Sequence, residues 1–97
     1  MLHTVNKSPY SHNTLASCLQ YAKAGDSILL IEDGVYAAID GGQSHLIKNA
    51  LKNINVYALM ADVSARGLTR LIKDVKQVDY AGFVNLTTTH RNVQSWF

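Results

Sequence analysis

The stretch Ser27-Ile28-Leu29-Leu30-Ile31-Glu32-Asp33-Gly34 decides the fold class of this 97-residue chain. Four aliphatic residues follow one another without interruption, and Glu32-Asp33-Gly34 then forms a turn signal. A strand with one face in water alternates apolar and polar residues, whereas a continuous apolar run is typical of a strand buried on both faces. The stretch therefore predicts a central strand that other elements cover on both sides.

Outward from this strand, extended and helical patterns alternate along the chain. Strands are predicted at Leu2–Val5, Ser27–Ile31, Ile54–Met60, Val75–Val78 and Val93–Phe97. In the first half of the chain, helical segments are predicted from an N-cap at Ser11 or Asn13 to a stop at Gly25, over Val35–Ile39, and after a cap at Ser44. In the second half they are predicted from Asp62 to Gly67, at the helical spacing of Leu68, Leu71 and Ile72, and from Asp79 to about His90. This alternation predicts a parallel sheet with right-handed crossovers and helices on both faces.

Composition limits the function classes that the chain can serve. Its length fits a single domain, residues 1–97, and a 47% hydrophobic share with 16% charged residues is typical of a globular protein. The net charge is only +2 and the nine Lys and Arg residues are scattered, so direct nucleic-acid binding is weakly supported. We see no secretory signal and no apolar run of about 20 residues. Together with the single cysteine, this favours a cytoplasmic protein.

Known cofactor and metal motifs are missing from the sequence. It contains neither a phosphate-binding Gly-x-x-x-x-Gly-Lys nor a Gly-x-Gly-x-x-Gly, and its four histidines lack metal-ligand spacing. We therefore expect no cofactor and no metal. Polar residues do follow the predicted strands, namely Lys7, Ser8, Glu32, Asp33, Asp62 and Arg66. They predict either a ligand crevice at the carboxyl ends of the strands or ordinary turn and capping chemistry.

Cys18 is the remaining candidate for chemistry. It shares an apolar helical stripe with Leu15, Leu19 and Ala22, which favours burial against the sheet. A reactive cysteine would instead need access and a lowered pKa. Both alternatives stay open from the pattern alone.

Two large aromatic residues, Trp96 and Phe97, follow each other in the last predicted strand. Leaving such side chains in water is unfavourable. They predict either closure of the core of this chain or a contact with another subunit.

Six ordered segments resemble those of a known family. They are Leu2–Pro9, Gly25–Ala38, Val56–Leu59, Asp62–Leu68, Val78–Tyr80 and Val93–Trp96. In this order and spacing they resemble the DsrH/TusB family of small sulfur-relay subunits, within the DsrE/DsrF/DsrH superfamily. DsrH-type members carry a cysteine in the first helix, and Cys18 matches that position. The resemblance is therefore closest to the DsrH type.

The resemblance implies a three-layer α/β/α fold with a five-stranded, mostly parallel sheet. It also implies a heterohexamer with DsrE/TusD-type and DsrF/TusC-type subunits, and a downstream DsrC/TusE-type sulfur acceptor. In the family, sulfur travels as a cysteine persulfide. It serves 2-thiolation of a tRNA wobble uridine in the TusB-like branch and intracellular sulfur oxidation in the DsrH-like branch.

Three hypotheses follow. In the first, Cys18 is the persulfide carrier: its thiolate takes the outer sulfur of a donor persulfide and passes it to a partner thiol. In the second, the chain is a non-catalytic structural subunit, and the DsrE/TusD-type partner carries the sulfur. In the third, a small ligand or nucleotide binds near Asp33 and Asp62, an interpretation weakened by the missing phosphate-binding glycines.

Overall fold

A computed structural model describes all residues from 1 to 97 and contains a five-stranded sheet. The strands are β1 (Leu2–Val5), β2 (Ser27–Leu30), β3 (Asn55–Leu59), β4 (Lys76–Val78) and β5 (Val93–Trp96). Their order in the sheet is β4-β3-β2-β1-β5, and each neighbouring pair is parallel. The predicted α/β fold is confirmed, and the sheet is parallel throughout rather than mostly parallel.

The apolar stretch from which the prediction began forms β2, the middle strand. All four of its residues are buried, as expected for a strand with neighbours on both edges and side chains packed on both faces. The connections between strands are helical: α1 (Thr14–Tyr21), a 3₁₀ helix (Glu32–Ala38), α2 (His45–Ala50), α3 (Met60–Ala65) and α4 (Tyr80–Thr89). None of these helices is long and apolar enough to cross a membrane.

The two faces of the sheet carry cores of very different size. The larger core holds 14 buried residues, contributed by the strands, by α1, α2 and α3, and by the 3₁₀ helix. On the opposite face, Leu2, Leu29 and Leu86 form a core of three buried residues. In the second core Leu86 is the contribution of α4, and Phe83 from the same helix packs at its edge. One face is therefore thickly covered and the other is covered mainly by α4.

A glycine allows the 3₁₀ helix to approach β1. A Cβ atom added to Gly34 would collide with the backbone oxygen of Val5. This close approach explains why the turn after β2 contains glycine at that point. At the start of α4, Asp79 acts as the predicted N-cap, since its carboxylate accepts a hydrogen bond from the backbone N–H of Gly82 at 2.8 Å.

Several predicted boundaries and roles are corrected by the structure. Helix α1 ends at Tyr21, before Gly25, and Met60 begins α3 instead of ending β3. The helical spacing at Leu68, Leu71 and Ile72 does not produce a helix. There, Leu71 forms an isolated antiparallel bridge with Ile39, and the N–H of Ile72 donates to Ala38 at 2.7 Å. These long-range bonds hold the segment extended despite its local pattern.

The two terminal aromatic residues have different environments. Trp96 packs against the larger core, so it closes the core of this chain. Phe97 is 82% exposed and has no such role.

Candidate functional site

Cys18 lies on the inner face of α1, sealed beneath the helix. Its residue surface is 0% exposed, and it belongs to the larger core together with Leu15 of the same helix. The apolar stripe of α1 thus faces the sheet, as expected for an amphipathic helix. No donor persulfide can reach the sulfur in this arrangement without movement of α1.

The electrostatic environment also opposes a thiolate. Burial, followed by the negative charge of Asp26, raises the pKa of the Cys18 thiol to about 12. Desolvation disfavours the charged form of any acid, and a nearby carboxylate disfavours a second negative charge. At neutral pH the group is therefore a neutral thiol, whereas a nucleophilic cysteine requires a lowered pKa.

A hydrogen-bonded network of polar groups lies at the amino-terminal end of the sheet. We call it the His3 network; it consists of the Met1 amino group, His3, Asp26 and Trp96. The indole N–H of Trp96 donates to Nδ1 of His3 at 3.1 Å. Nδ1 is therefore an acceptor, and Nε2 carries the proton that it donates to Asp26 Oδ2 at 2.9 Å. One buried imidazole thus connects the last strand to the residue that precedes β2.

Asp26 is the ionised member of this network. Desolvation opposes its charge, but hydrogen bonds from the Lys23 backbone N–H, from His3 and from the Met1 amino group outweigh that effect and lower its pKa to about 2. The Met1 nitrogen lies 3.1 Å from Asp26 Oδ1. Asp26 stays a carboxylate throughout the physiological range, and its donors hold it in place.

A second polar group lies at the carboxyl ends of β2 and β3. We call it the Arg66 cluster; it consists of Glu32, Asp33, Asp62 and Arg66. The guanidinium of Arg66 donates from Nε and Nη2 to Asp33 Oδ1 at 3.0 and 2.9 Å. It also donates from Nη1 to the backbone oxygen of Asp62 at 3.2 Å. The cluster ties the turn after β2 to α3.

The structure corrects the predicted cap at Asp62 and divides the predicted crevice. Asp62 lies in the first turn of α3, and its carboxylate accepts the backbone N–H of Glu32 at 2.7 Å, so it is not the N-cap. Ser8 bonds within its own loop, since its hydroxyl accepts the N–H of Tyr10 at 3.1 Å. Of the six predicted crevice residues, only the four of the Arg66 cluster lie together, and their contacts hold a turn and a loop in place.

No ligand cleft accompanies either group. The three surface clefts have volumes of about 310, 440 and 290 Å³, and none is lined by Cys18, Asp33 or Asp62. No group of three or more His, Cys, Asp or Glu side chains is placed to hold a metal ion. The structure thus offers no pocket for the small ligand considered near Asp33 and Asp62.

Sequence reasoning did not find the His3 network. A signal was present, because a histidine inside an apolar strand must find hydrogen-bond partners when it is buried. Its partners were not predictable locally: Asp26 is 23 residues away and Trp96 is 93 residues away. Only the parallel registers of β1 with β2 and with β5 bring them together.

Comparison with known proteins identifies the class to which this chain belongs. The family described as DsrH like protein matches residues 7–93. This match covers most of the chain, and we conclude that the chain belongs to the DsrH-like family. The resemblance of its ordered segments to that family is confirmed.

Several relatives of this chain carry the name TusB. Protein TusB of Escherichia coli O81 (strain ED1a) is 42% identical over 99 residues, which cover 99% of this chain and 100% of that protein. Protein TusB of Shigella flexneri is 41% identical with the same coverage.

Solved structures support the fold. The ychN protein from Escherichia coli superposes with a TM-score of 0.83 at 18% identity over 97% of each chain, a likeness that shows the fold alone. The Tm0979 protein from Thermotoga maritima superposes with a TM-score of 0.64 at 26% identity, covering 95% of this chain and 97% of that one.

Proposed function

We propose that this chain is a TusB-like subunit of a cytoplasmic sulfur relay that supplies sulfur for 2-thiolation of the tRNA wobble uridine. The observation that carries this proposal is the 42% identity to TusB over the whole of both chains. The shared name of the relatives favours the tRNA branch over intracellular sulfur oxidation. The chain would act as one DsrH/TusB-like domain, residues 1–97.

The proposed partners are TusD-type and TusC-type subunits in a heterohexamer, with a TusE-type protein as the downstream sulfur acceptor. An exposed, uncharged helix supports a role in assembly. Helix α4 contains no Asp, Glu, Lys or Arg, and its Tyr80 and Val84 are exposed one turn apart. Apolar side chains that remain in solvent next to each other commonly mark a protein contact.

We further propose that the TusD-type partner carries the persulfide, while Cys18 serves in packing. The sealed position of Cys18 and its raised pKa support this version over the carrier role. The carrier role remains the second candidate because of the position of Cys18 in the first helix. It requires the Cys18 thiolate to attack the outer sulfur of a donor persulfide, which releases the donor thiolate and leaves Cys18 as a persulfide.

Complementation tests the function directly. An Escherichia coli strain lacking its own TusB would receive this chain, and wobble 2-thiouridine would be measured by mass spectrometry of digested tRNA. We expect 2-thiouridine to return and the chain to copurify with TusC and TusD. A chain that copurifies with both partners and restores no 2-thiouridine would contradict the proposal.

Two variants separate the versions of the mechanism. In the same strain, Cys18→Ala should support the same 2-thiouridine level as the unaltered chain, because no sulfur passes through this position. Ser17→Ala, at an exposed site next to it, is the matched control. A Cys18→Ala protein that assembles normally but loses thiolation would overturn the packing role and establish the carrier. Intact mass after incubation of the complex with a persulfide donor gives an independent readout, since a persulfide adds one sulfur atom to the carrier.

A further inference from the structure

The hydrogen bonds of His3 fix its imidazole in one protonation state. The indole N–H of Trp96 can only donate, so Nδ1 of His3 is the acceptor of that bond, and the proton on Nε2 is donated to Asp26. The ring is sealed from water, since the residue is 0% exposed. The folded chain therefore holds His3 as a neutral imidazole.

A proton added to this ring can bind at one nitrogen only. Nε2 already carries a proton, so the new N–H forms at Nδ1 and points at the indole N–H of Trp96. Two N–H groups that face each other form no hydrogen bond, and a buried N–H without an acceptor is unfavourable. Protonation of His3 is therefore incompatible with its bond to Trp96.

The surrounding groups decide which partner leaves the protonated ring. The Asp26 carboxylate attracts the positive imidazole, whereas the Met1 amino group on the other oxygen of that carboxylate opposes the added charge. From α1, the Tyr21 ring faces the imidazole edge-on at a centroid distance of 6.0 Å, and Cys18 is a neutral thiol. Strands β2 and β5 contain no titratable residue. The protonated ring thus stays on Asp26, and Trp96 is the partner that moves.

Trp96 is the main side-chain anchor of β5. It is the one residue of this strand that packs against the larger core, and the other three are exposed. Strand β5 pairs with β1 alone, and the backbone bond from Asn6 to the Trp96 oxygen is long, at 3.4 Å. The remaining side-chain contact is the hydroxyl of Ser95, which accepts from Thr4 at 3.1 Å. Short edge segments near a chain end open at low cost, so loss of the His3 bond frees this one first.

We propose that the bond between Trp96 and His3 is a pH-sensitive latch: protonation of His3 releases Trp96 and frees the end of β5, while the rest of the sheet stays folded. The proton comes from the solvent, which reaches the latch because Trp96 is only half-buried. In mild acid the chain then ends in two released aromatic residues, Trp96 and Phe97. The proposal does not depend on the sulfur-relay function.

Fluorescence tests the latch directly, because Trp96 is the only tryptophan of the chain. Quenching by acrylamide, which is uncharged, should increase as the pH is lowered from about 8 to about 5, the range in which imidazole groups gain a proton. The change should reverse when the pH is raised again. Far-UV circular dichroism should stay nearly constant, since only the end of one strand opens. Quenching that does not change, or that rises together with loss of the whole dichroism signal, would overturn the proposal.

Two variants assign the response to one histidine. In His3→Gln, the amide keeps an acceptor for Trp96 and a donor for Asp26 but gains no proton, so quenching should be equal at both pH values. His90→Gln is the matched control, because His90 is the other histidine that is not fully exposed. This variant should keep the full response. A response that persists in His3→Gln, or that disappears in His90→Gln alone, would refute the latch.

Nuclear magnetic resonance of the unaltered chain gives a measurement that needs no substitution. The ¹⁵N shifts of His3 should show a proton on Nε2 alone at neutral pH and on both nitrogens in acid. Over the same pH range, the hydrogen-exchange protection of the Asn6 N–H, which donates to Trp96, should fall about tenfold, as expected for the loss of one hydrogen bond. The Ile31 N–H, which donates to Val5 at 3.0 Å, is the control and should keep its protection. Protonation of His3 without loss of protection at Asn6 would overturn the proposal.

Discussion

The His3 network and the Arg66 cluster lie at opposite ends of the strands and differ in their access to water. Both join segments that are distant along the chain, and both use charged groups. The imidazole of His3 is sealed inside the protein, whereas the Asp33 carboxylate that receives Arg66 is 62% exposed. Solvent screens the second contact and hardly reaches the first.

This difference shows that polar clusters at the carboxyl ends of a parallel sheet need not be a site. The general rule places ligands there. In this chain the Arg66 cluster fastens a turn to α3 and has no cleft, while the stronger constraint is at the amino-terminal end. We therefore expect the polar group that contributes most to stability to lie at the opposite end of the sheet from the place where ligands usually bind.

The largest effect should come from His3→Ala. Removal of the imidazole leaves the Trp96 indole N–H without an acceptor, takes one donor from Asp26 and opens a cavity under α1. We expect the free energy of unfolding to fall by about 3 kcal/mol, measured by urea denaturation. Trp96→Phe keeps the imidazole in place and removes the indole bond together with part of the packed ring, so it should cost less, about 1–2 kcal/mol. A His3→Ala variant as stable as the parent would refute the structural weight assigned to the network.

The next effect should come from Asp26→Asn, and it depends on pH. The native pKa of Asp26 is about 2 and its ordinary value is 3.8, so the native state holds this proton less tightly than the unfolded state. The resulting stability, about 2 kcal/mol, is present above pH 4 and disappears as the pH falls toward 2. Denaturation curves at several pH values should show the variant and parent converging in acid.

Asp40→Asn is the control for this prediction. Lys48 also lowers the pKa of Asp40, through a hydrogen bond and then its charge, but Asp40 is exposed. We expect little change in stability at any pH, because solvent screens the pair. If Asp26→Asn showed the same flat response as Asp40→Asn, the contrast between the partly buried, networked carboxylate and the exposed one would be lost.

The smallest effect should come from Arg66→Ala. Arg66 is 22% exposed and its main partner Asp33 is largely in solvent, so we expect a loss of about 1 kcal/mol that shrinks further in about 1 M sodium chloride. Arg66→Lys keeps the charge but removes the fork of donors, and should recover only part of the loss. A cost equal to that of His3→Ala, or one unaffected by salt, would contradict the comparison.

The parallel sheet was predictable because its signals are local, and the family was predictable from the resemblance of the ordered segments. The apolar run at β2, the turn residues after it and the cap at Asp79 each act within a few neighbouring residues. Segments governed by distant partners were not predictable. The extended segment at Leu71 and Ile72 follows from bonds to Ile39 and Ala38, which no periodicity in its own sequence reveals.

The candidate site shows the same division. The spacing around Cys18 indicated a helix with an inner face, but the pattern could not decide between a buried thiol and a reactive one. Likewise, the sequence pattern treats the neighbouring aromatic residues Trp96 and Phe97 alike, but their environments differ. Trp96 is hydrogen-bonded to His3, whereas Phe97 is exposed to solvent.

The amino-acid order by itself determined the alternation of strands and helices along most of the chain, because periodicity and turn chemistry act between neighbours. The resemblance of its ordered segments to known proteins indicated the family. Only the tertiary structure decided that Cys18 is sealed, that His3 joins Asp26 to Trp96, and that β5 is left with an open edge. Burial, hydrogen bonding and pKa depend on distances through space, and those distances exist only after the parallel strands have set their register.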